Sequence, residues 1–240
     1  MCGRYTLSNS DRQEIGLRFE VEVPPPLESV LGRFNAAPGQ EVLIVRSRQA
    51  SGREALEARW GLVPSWAEDL KAGYRMINAR SETVLESRAY GPLARRASSR
   101  CLIPADGFFE WTGPSRDGGP KRPVRFTVDG GSLFSMAGLV ASRDWEGAEL
   151  TSCTILTTDA DRVVAPVHDR MPVILANEAA EEAWITGTLD AGEIANLTRP
   201  LDPARVSSRI ASPWLNRVGA APEGPELLDP DWTGPGTLFG

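Results

Sequence analysis

The apolar residues of this 240-residue chain fall in short runs, and that punctuation constrains its fold more than any other feature. Residues 42–45, 58–62, 102–111, 124–128, 133–141, 152–157 and 173–175 are apolar or β-branched stretches of strand length. Glycine- and proline-rich turns such as Gly113-Pro114 and Gly118-Gly119-Pro120 separate several of them. Such spacing predicts an antiparallel sandwich or barrel. Helices are few. Ser10 with Gln13 forms a capping-box pattern ahead of Ile15, Leu17 and Phe19, predicting a helix over 11–19 that Pro24-Pro25-Pro26 ends. Asn177 heads a second helix, over 177–184, and Asp190 a third, over 190–197. With no repeat, glycine-rich phosphate loop or long linker, the expectation is α+β. It is a single domain over 1–240, with an antiparallel β-barrel-like core, flanking helices and a tail over about 230–240.

No stretch approaches the roughly 20 apolar residues of a membrane span, and the start lacks the basic-then-apolar pattern of a signal peptide. A soluble protein of the cytosol is therefore expected. Cys2, Cys101 and Cys153 are odd in number and far apart, which argues against a disulfide framework, and none has metal-ligand spacing. No metal or other cofactor is expected. A formal charge of −6 is unlike a general nucleic-acid coat, so a polyanionic partner would need a local basic patch. Lys71 and Lys121 are the only lysines, and all other basic side chains are arginines, whose planar fork pairs with phosphate at two points. A compositional bias explains most of them. Arg4, Arg80, Arg88 and Arg170 stand out because they lie beside the motifs below.

Cys2 directly follows the initiator methionine, so loss of Met1 would leave one residue bearing both a free amine and a thiol. Such a 1,2-aminothiol condenses with an aldehyde to an imine, and the thiol then closes a five-membered thiazolidine. With a pKa of ~7.7–8.0 against ~10.4 for lysine, this amine is about a hundred times more often neutral near pH 7. By position alone, Cys2 also reads as a small residue opening an N-terminal strand. His168 is the only histidine, and so the one side chain with an unperturbed pKa suited to proton transfer near neutrality. Glu110 stands among Phe108, Phe109 and Trp111, which would desolvate its carboxyl and raise its pKa, although an edge-strand glutamate with its head in water fits the same pattern. Asn78 carries an amide able to orient a carbonyl or hydroxyl, in a segment where a turn asparagine is commonplace.

The order of the motifs carries more than each one alone. Met1-Cys2-Gly3-Arg4, 33–38 (Arg-Phe-Asn-Ala-Ala-Pro), 60–66 (Trp-Gly-Leu-Val-Pro-Ser-Trp), 77–83 (Ile-Asn-Ala-Arg-Ser-Glu-Thr), 105–111 (Ala-Asp-Gly-Phe-Phe-Glu-Trp) and 168–172 (His-Asp-Arg-Met-Pro) together resemble the SRAP family of abasic-site processing proteins. The match runs over nearly the whole chain; the least matched stretches are about 47–57, 115–122 and the final ten residues. The resemblance implies a DNA-damage protein, associated with the SOS response and the nucleoid, that acts as a monomer on single-stranded DNA. Met1 is removed, the amine of Cys2 attacks the ring-opened abasic sugar, and the thiol closes the thiazolidine, shielding the lesion from strand cleavage. By the same resemblance Asn78 positions cysteine and sugar, Glu110 orients the amine and shuttles protons, and His168 assists ring opening or acts on the sugar hydroxyl. Arg80 and Arg170 bind phosphates, Arg4 and Arg88 more weakly, and Thr157 is a hydroxyl near the site. Trp66 with Pro38 and Gly39 would form a wedge or stacking platform, while Trp60 belongs to the core. A cysteine peptidase or amidohydrolase with His168 as base is the alternative of a different class, and a non-catalytic damage adaptor is a third.

Overall fold

A computed structural model describes residues 2–48, 52–113, 121–217, 223–232 and 234. Met1, the turn at Gly118-Gly119-Pro120 and most of the 230–240 tail lie outside them. The strands are β1 (Arg4–Leu7), β2 (Arg33–Ala36), β3 (Glu41–Arg48), β4 (Gly52–Trp60), β5 (Asn78–Arg80), β6 (Arg100–Ala105), β7 (Gly107–Trp111), β8 (Pro123–Val128), β9 (Phe134–Trp145), β10 (Ala148–Asp159), β11 (Arg170–Pro172) and β12 (Val206–Ile210). The helices are α1 (Arg12–Phe19), α2 (Gly91–Ala94), α3 (Glu178–Thr186) and α4 (Ala191–Leu197).

The strands form two sheets. In one, β10–β4–β3–β6–β9 closes on itself through the long β9–β10 hairpin, making a five-stranded barrel. The other runs β12–β8–β7–β1–β2. The expected barrel-like core with flanking helices is therefore present. One expectation needs correcting, because β10 pairs in parallel with β4 and with β5. Short strands 4 to 5 residues long, such as β2 and β12, have no apolar run to announce them. They form because neighbours supply their hydrogen bonds.

The run over 102–111 is two strands, not one. It leaves the barrel at Ala105 and joins the second sheet at Gly107. Asp106 makes the corner: its carboxylate accepts from the Ser8 and Asn9 backbone N–H groups, the Thr6 and Ser8 hydroxyls and the Arg125 guanidinium. Gly107 is required there, since a Cβ would fall 2.6 Å from Arg125 Nε and 2.9 Å from Thr6 Oγ1.

Helix starts are close to expectation. Asp11, rather than Ser10, caps α1 by accepting from the Gln13 and Glu14 N–H groups, and Leu17 points out, 83 % exposed, while Ile15 and Phe19 are buried. Asn177 and Asp190 cap α3 and α4. The strand expected over 173–175 is displaced to Arg170–Pro172, leaving a single bridge between Ile174 and Met136. Fully buried Glu181 accepts two hydrogen bonds from Arg18 and one from Ser135, tying α3 to α1 and β9.

Trp60 lies in the core with Tyr5 edge-on at 5.4 Å, as its sequence context suggested. A smaller core forms where the C-terminal segment packs on the second sheet: Ala211, Leu215 and Leu227 bury Phe109 beside Phe34, Trp111 and Trp214. This segment is the C-terminal strap. After β4 the chain turns at Gly61 (φ +123), where a Cβ would sit 2.6 Å from the carbonyl oxygen of Gly73. That close crossing brings Met76 and Ile77 against Leu62 and Trp60, immediately before Asn78. Gly61→Ala is expected to lower stability by at least about 2 kcal/mol, through backbone strain and the clash together. Urea unfolding followed by circular dichroism measures it, and an unshifted midpoint would mean the crossing accommodates a methyl group.

Candidate functional site

The start of the chain is the site's foundation. Tyr5 and Leu7 of β1 bury themselves in the main core, and the strand is paired on both sides, with β2 and with β7. Cys2 is carried with it into a fully buried position. The Asn78 amide donates to the Cys2 carbonyl at 2.9 Å. Asn78 opens β5, held in register by Ile155 of β10, and the Tyr90 hydroxyl donates to its backbone carbonyl at 3.3 Å. Its other amide atom, Oδ1, is buried with no hydrogen-bond partner among the described residues, an acceptor that a donor on an incoming molecule would satisfy.

Glu110, on β7, is 3 % exposed. Burial raises its pKa to about 7, against the opposing pull of the positive chain terminus. The Cys2 thiol is pushed far above its ordinary range, first by burial and then by the negative charge of Glu110. At neutral pH the sulfur is therefore protonated, and Glu110 is poised between acid and base.

His168 sits on the loop between β10 and β11. Asp161 winds that loop by accepting from the Val163 and Val164 N–H groups at 2.7 and 2.8 Å, and the His168 N–H donates to the Val164 carbonyl. His168 Nδ1 accepts from the Arg170 N–H at 3.0 Å, so the neutral ring carries its proton on Nε2. Partial burial lowers its pKa and favours that neutral form; Asp169, 3.1 Å from Nδ1, pulls the other way but is exposed to solvent. Thr157 is buried, its hydroxyl 3.5 Å from the Ala79 carbonyl.

A cleft of about 420 Å³ opens beside these groups, lined by Gly3, Arg4, Glu110, Trp111, Lys121, His168 and Asn216. Cys2, Asn78, Glu110, His168 and Arg4 thus converge, although they come from four separate segments. The remaining expected residues stand outside the lining. Trp66 is 58 % exposed with the Arg88 guanidinium over its ring at 5.9 Å. Gly39 (φ +86) packs against Tyr74 beside Pro38, and a Cβ there would meet the Tyr74 hydroxyl at 2.7 Å. Arg80 is exposed at the end of β5. Arg170 turns inward. Its terminal nitrogens make a two-point pair with Glu82 and bond Asp159 and the Thr157 carbonyl, so a phosphate would reach it only by displacing those partners. Tyr90, Trp111 and Asn216 were missed as site residues because each acts through a contact between separate segments, and Asp161 because its local turn matters only through the His168 it places. Among the described residues no cluster of side chains has the make-up of a metal site.

A barrel joined to a second sheet thus buries residue 2 beside an asparagine and a carboxyl of near-neutral pKa, at a cleft that an imidazole also lines. The chain belongs to the SRAP family, the SOS response associated peptidases, which it matches over residues 1–218. It is 37% identical over 236 residues to the abasic site processing protein YoqW of Bacillus subtilis, covering 95% of this chain and 99% of that one. The corresponding Escherichia coli protein, YedK, is 32% identical over 204 residues, covering 82% and 85%, and chicken HMCES 32% over 230 residues, covering 82% and 66%. A crystal structure from Bacteroides thetaiotaomicron shares the fold, with a TM-score of 0.81 at 24% identity over 95% of this chain and 99% of that one.

The Glu110 shift has a consequence for stability. A carboxyl whose folded pKa lies above its unfolded ~4.3 binds its proton more tightly when folded. Stability is then greatest below ~4.3, falls as pH rises toward about 7, and is constant above. Uncharged Glu110→Gln escapes that loss, and at pH 8 should be more stable than the parent by on the order of 3 kcal/mol, the difference shrinking toward pH 4. Thermal unfolding across that range measures it, and equal melting temperatures at pH 8 would mean the carboxylate is stabilised by partners when ionised.

Proposed function

We propose that the protein processes abasic sites in single-stranded DNA by joining Cys2 covalently to the lesion. One observation carries the reading: the chain's second residue is held rigidly beside Glu110 and Asn78, at a cleft that His168 helps to line. The names of the relatives, abasic site processing proteins, agree with it. With Met1 removed, the Cys2 amine adds to the sugar aldehyde and water leaves, giving an imine. The thiol then adds across the C=N bond, sulfur to carbon and proton to nitrogen, closing the thiazolidine. Ring closure removes the imine that would otherwise drive β-elimination and strand scission. Glu110 suits the proton transfers, since its pKa of about 7 lets it take a proton from the ammonium or thiol and return one to the leaving hydroxyl. The neutral His168, with its proton on Nε2, is a donor to the ring oxygen of the closed sugar.

A Cys2-centred peptidase is the weaker reading. Thiolate attack requires a thiol pKa lowered by its surroundings, whereas burial and Glu110 raise this one. An amine that attacks first, with the thiol following as a neutral trap, needs no such lowering.

Incubation with an oligonucleotide bearing an abasic site, then denaturing electrophoresis, tests the reading. A heat-stable shifted band is expected from the parent. Cys2→Ala should give none, yet form an imine that borohydride traps, with more strand cleavage; an undiminished heat-stable adduct from this variant would falsify the thiazolidine step. Glu110→Gln should slow adduct formation by ~100- to 10,000-fold and leave only the rate increase that follows the amine, whose ordinary pKa is ~7.7–8.0. His168→Gln should slow reaction with an abasic site more than with a small aldehyde that has no ring to open. Equal slowing on both would move His168 to the imine or thiol step.

A further inference from the structure

His168 stands on a loop, so the direction of its ring depends on what holds Nδ1 rather than on a strand of its own. The holder is the backbone N–H of Arg170, the residue that opens β11, at 3.0 Å. β11 is three residues long and pairs with β10, Asp159 opposite Arg170 and Thr157 opposite Pro172. On its other side β10 pairs with β5, Thr157 opposite Arg80. The strand that carries Asn78 and the strand that follows His168 are therefore separated by the width of β10, and one side chain spans it. The Arg170 guanidinium donates to Glu82 Oε1 and Oε2, each at 2.8 Å, and Glu82 lies in the turn Ser81–Thr83 that directly follows β5.

The other contacts of Arg170 make Glu82 the deciding one. Arg170 is buried, and its Nε has no hydrogen-bond partner among the described residues, so only the terminal nitrogens orient the group. Asp159 Oδ1 and the Thr157 carbonyl, each at 2.6 Å, belong to β10, which β11 already meets through its backbone. Glu82 comes from a different segment and offers a planar carboxylate to both terminal nitrogens at once, a geometry that fixes the direction of a guanidinium as well as its place.

We infer that Glu82 is a positioning residue for the reaction at Cys2. Through its two-point pair with Arg170 it holds the Arg170 N–H against His168 Nδ1, which keeps the imidazole in one tautomer and one orientation beside the cleft it lines. The same pair braces the segment of Asn78, which opens β5, against the segment of His168. The inference rests on the reading of Cys2 as the residue that joins the lesion and of His168 as a donor to the sugar. Glu82 itself touches no reacting atom.

The test exploits the single histidine, whose ring nitrogens stand alone in a nitrogen-15 spectrum of the untagged protein. Well above the ordinary histidine pKa of ~6.5, the parent is expected to show one protonated and one bare ring nitrogen. Glu82→Gln keeps the size and removes the charge, and should draw the two nitrogen shifts toward each other as the ring exchanges between tautomers. It should also slow adduct formation on an abasic oligonucleotide about three- to tenfold, the scale of coupling within one ion-pair network, with no slowing on a small aldehyde. Added to His168→Gln, it should slow the reaction no further, because its effect passes through the ring. Glu28→Gln breaks an exposed pair with Arg12 and should match the parent in every assay. If Glu82→Gln does not fold, Asp159→Asn, at a carboxylate 82% exposed, takes its place with smaller effects in the same directions. Unmoved nitrogen shifts, or slowing that persists in the His168→Gln background, would overturn the inference. So would faster adduct formation with tighter binding of an unreactive tetrahydrofuran analogue, which would make Glu82 a brake on Arg170. If the parent forms no adduct, the reading of Cys2 falls instead, and the nitrogen spectra alone decide whether Glu82 sets the ring.

Discussion

Everything at the site depends on β1 being an interior strand. A chain terminus is ordinarily the part most free to fray, but here residues 4 to 7 are hydrogen-bonded to β2 on one side and β7 on the other. Tyr5 and Leu7 anchor the strand in the core, and the Asp106 corner clamps Thr6, Ser8 and Asn9. The first residues therefore cannot swing. Their position relative to Glu110, one residue beyond the β1 pairing on the neighbouring strand, is set by the register of the sheet. A reaction that needs an amine, a thiol and a proton carrier in one geometry gains from this, because no ordering of the terminus remains to be done when the aldehyde arrives.

The same burial that fixes the site makes it expensive. Glu110 is placed where its ionised form is disfavoured, and Cys2 where its thiolate is. Two other buried carboxyl groups avoid such cost. Buried Glu181 meets Arg18 and Ser135, and Asp106 meets Arg125 with several hydroxyl and amide donors. Those two carboxyl groups meet cationic partners, whereas burial dominates at Glu110 and raises its pKa to about 7. Arg170 belongs with the former group in this structure, since Glu82 and Asp159 occupy its guanidinium while its backbone N–H sets the tautomer of His168.

Much of this was legible in the sequence, and the reasons for the gaps are physical. Strand-length apolar runs and their turns announce β3, β8, β9 and β10, because burial on a barrel wall demands apolar residues regardless of partner. Asn177 and Asp190 announce α3 and α4, because capping is local. The division of 102–111 at Asp106 was hidden, since the residues on either side are equally apolar and only the distant Ser8, Asn9 and Arg125 make the corner. Cys2, Asn78, Glu110 and His168 stood out from their motifs and their order. The posture of Arg170 did not, because it depends on Glu82, whose carboxylate could as well have faced solvent. Asn216 had no signal at all: its role exists only through Trp111, 105 residues earlier.

The bond from Arg4 to the Leu215 carbonyl spans 211 residues of chain. A nascent polypeptide emerging amino end first must therefore carry its second residue through nearly the whole of synthesis before the wall behind it can form. Until then the bond from Arg4 to the Leu215 carbonyl is missing, and with it the wall that Asn216 completes. The surroundings of residue 2 are in this sense a property of the finished fold rather than of the first strand. The part of the cleft that is made first is among the last to be enclosed.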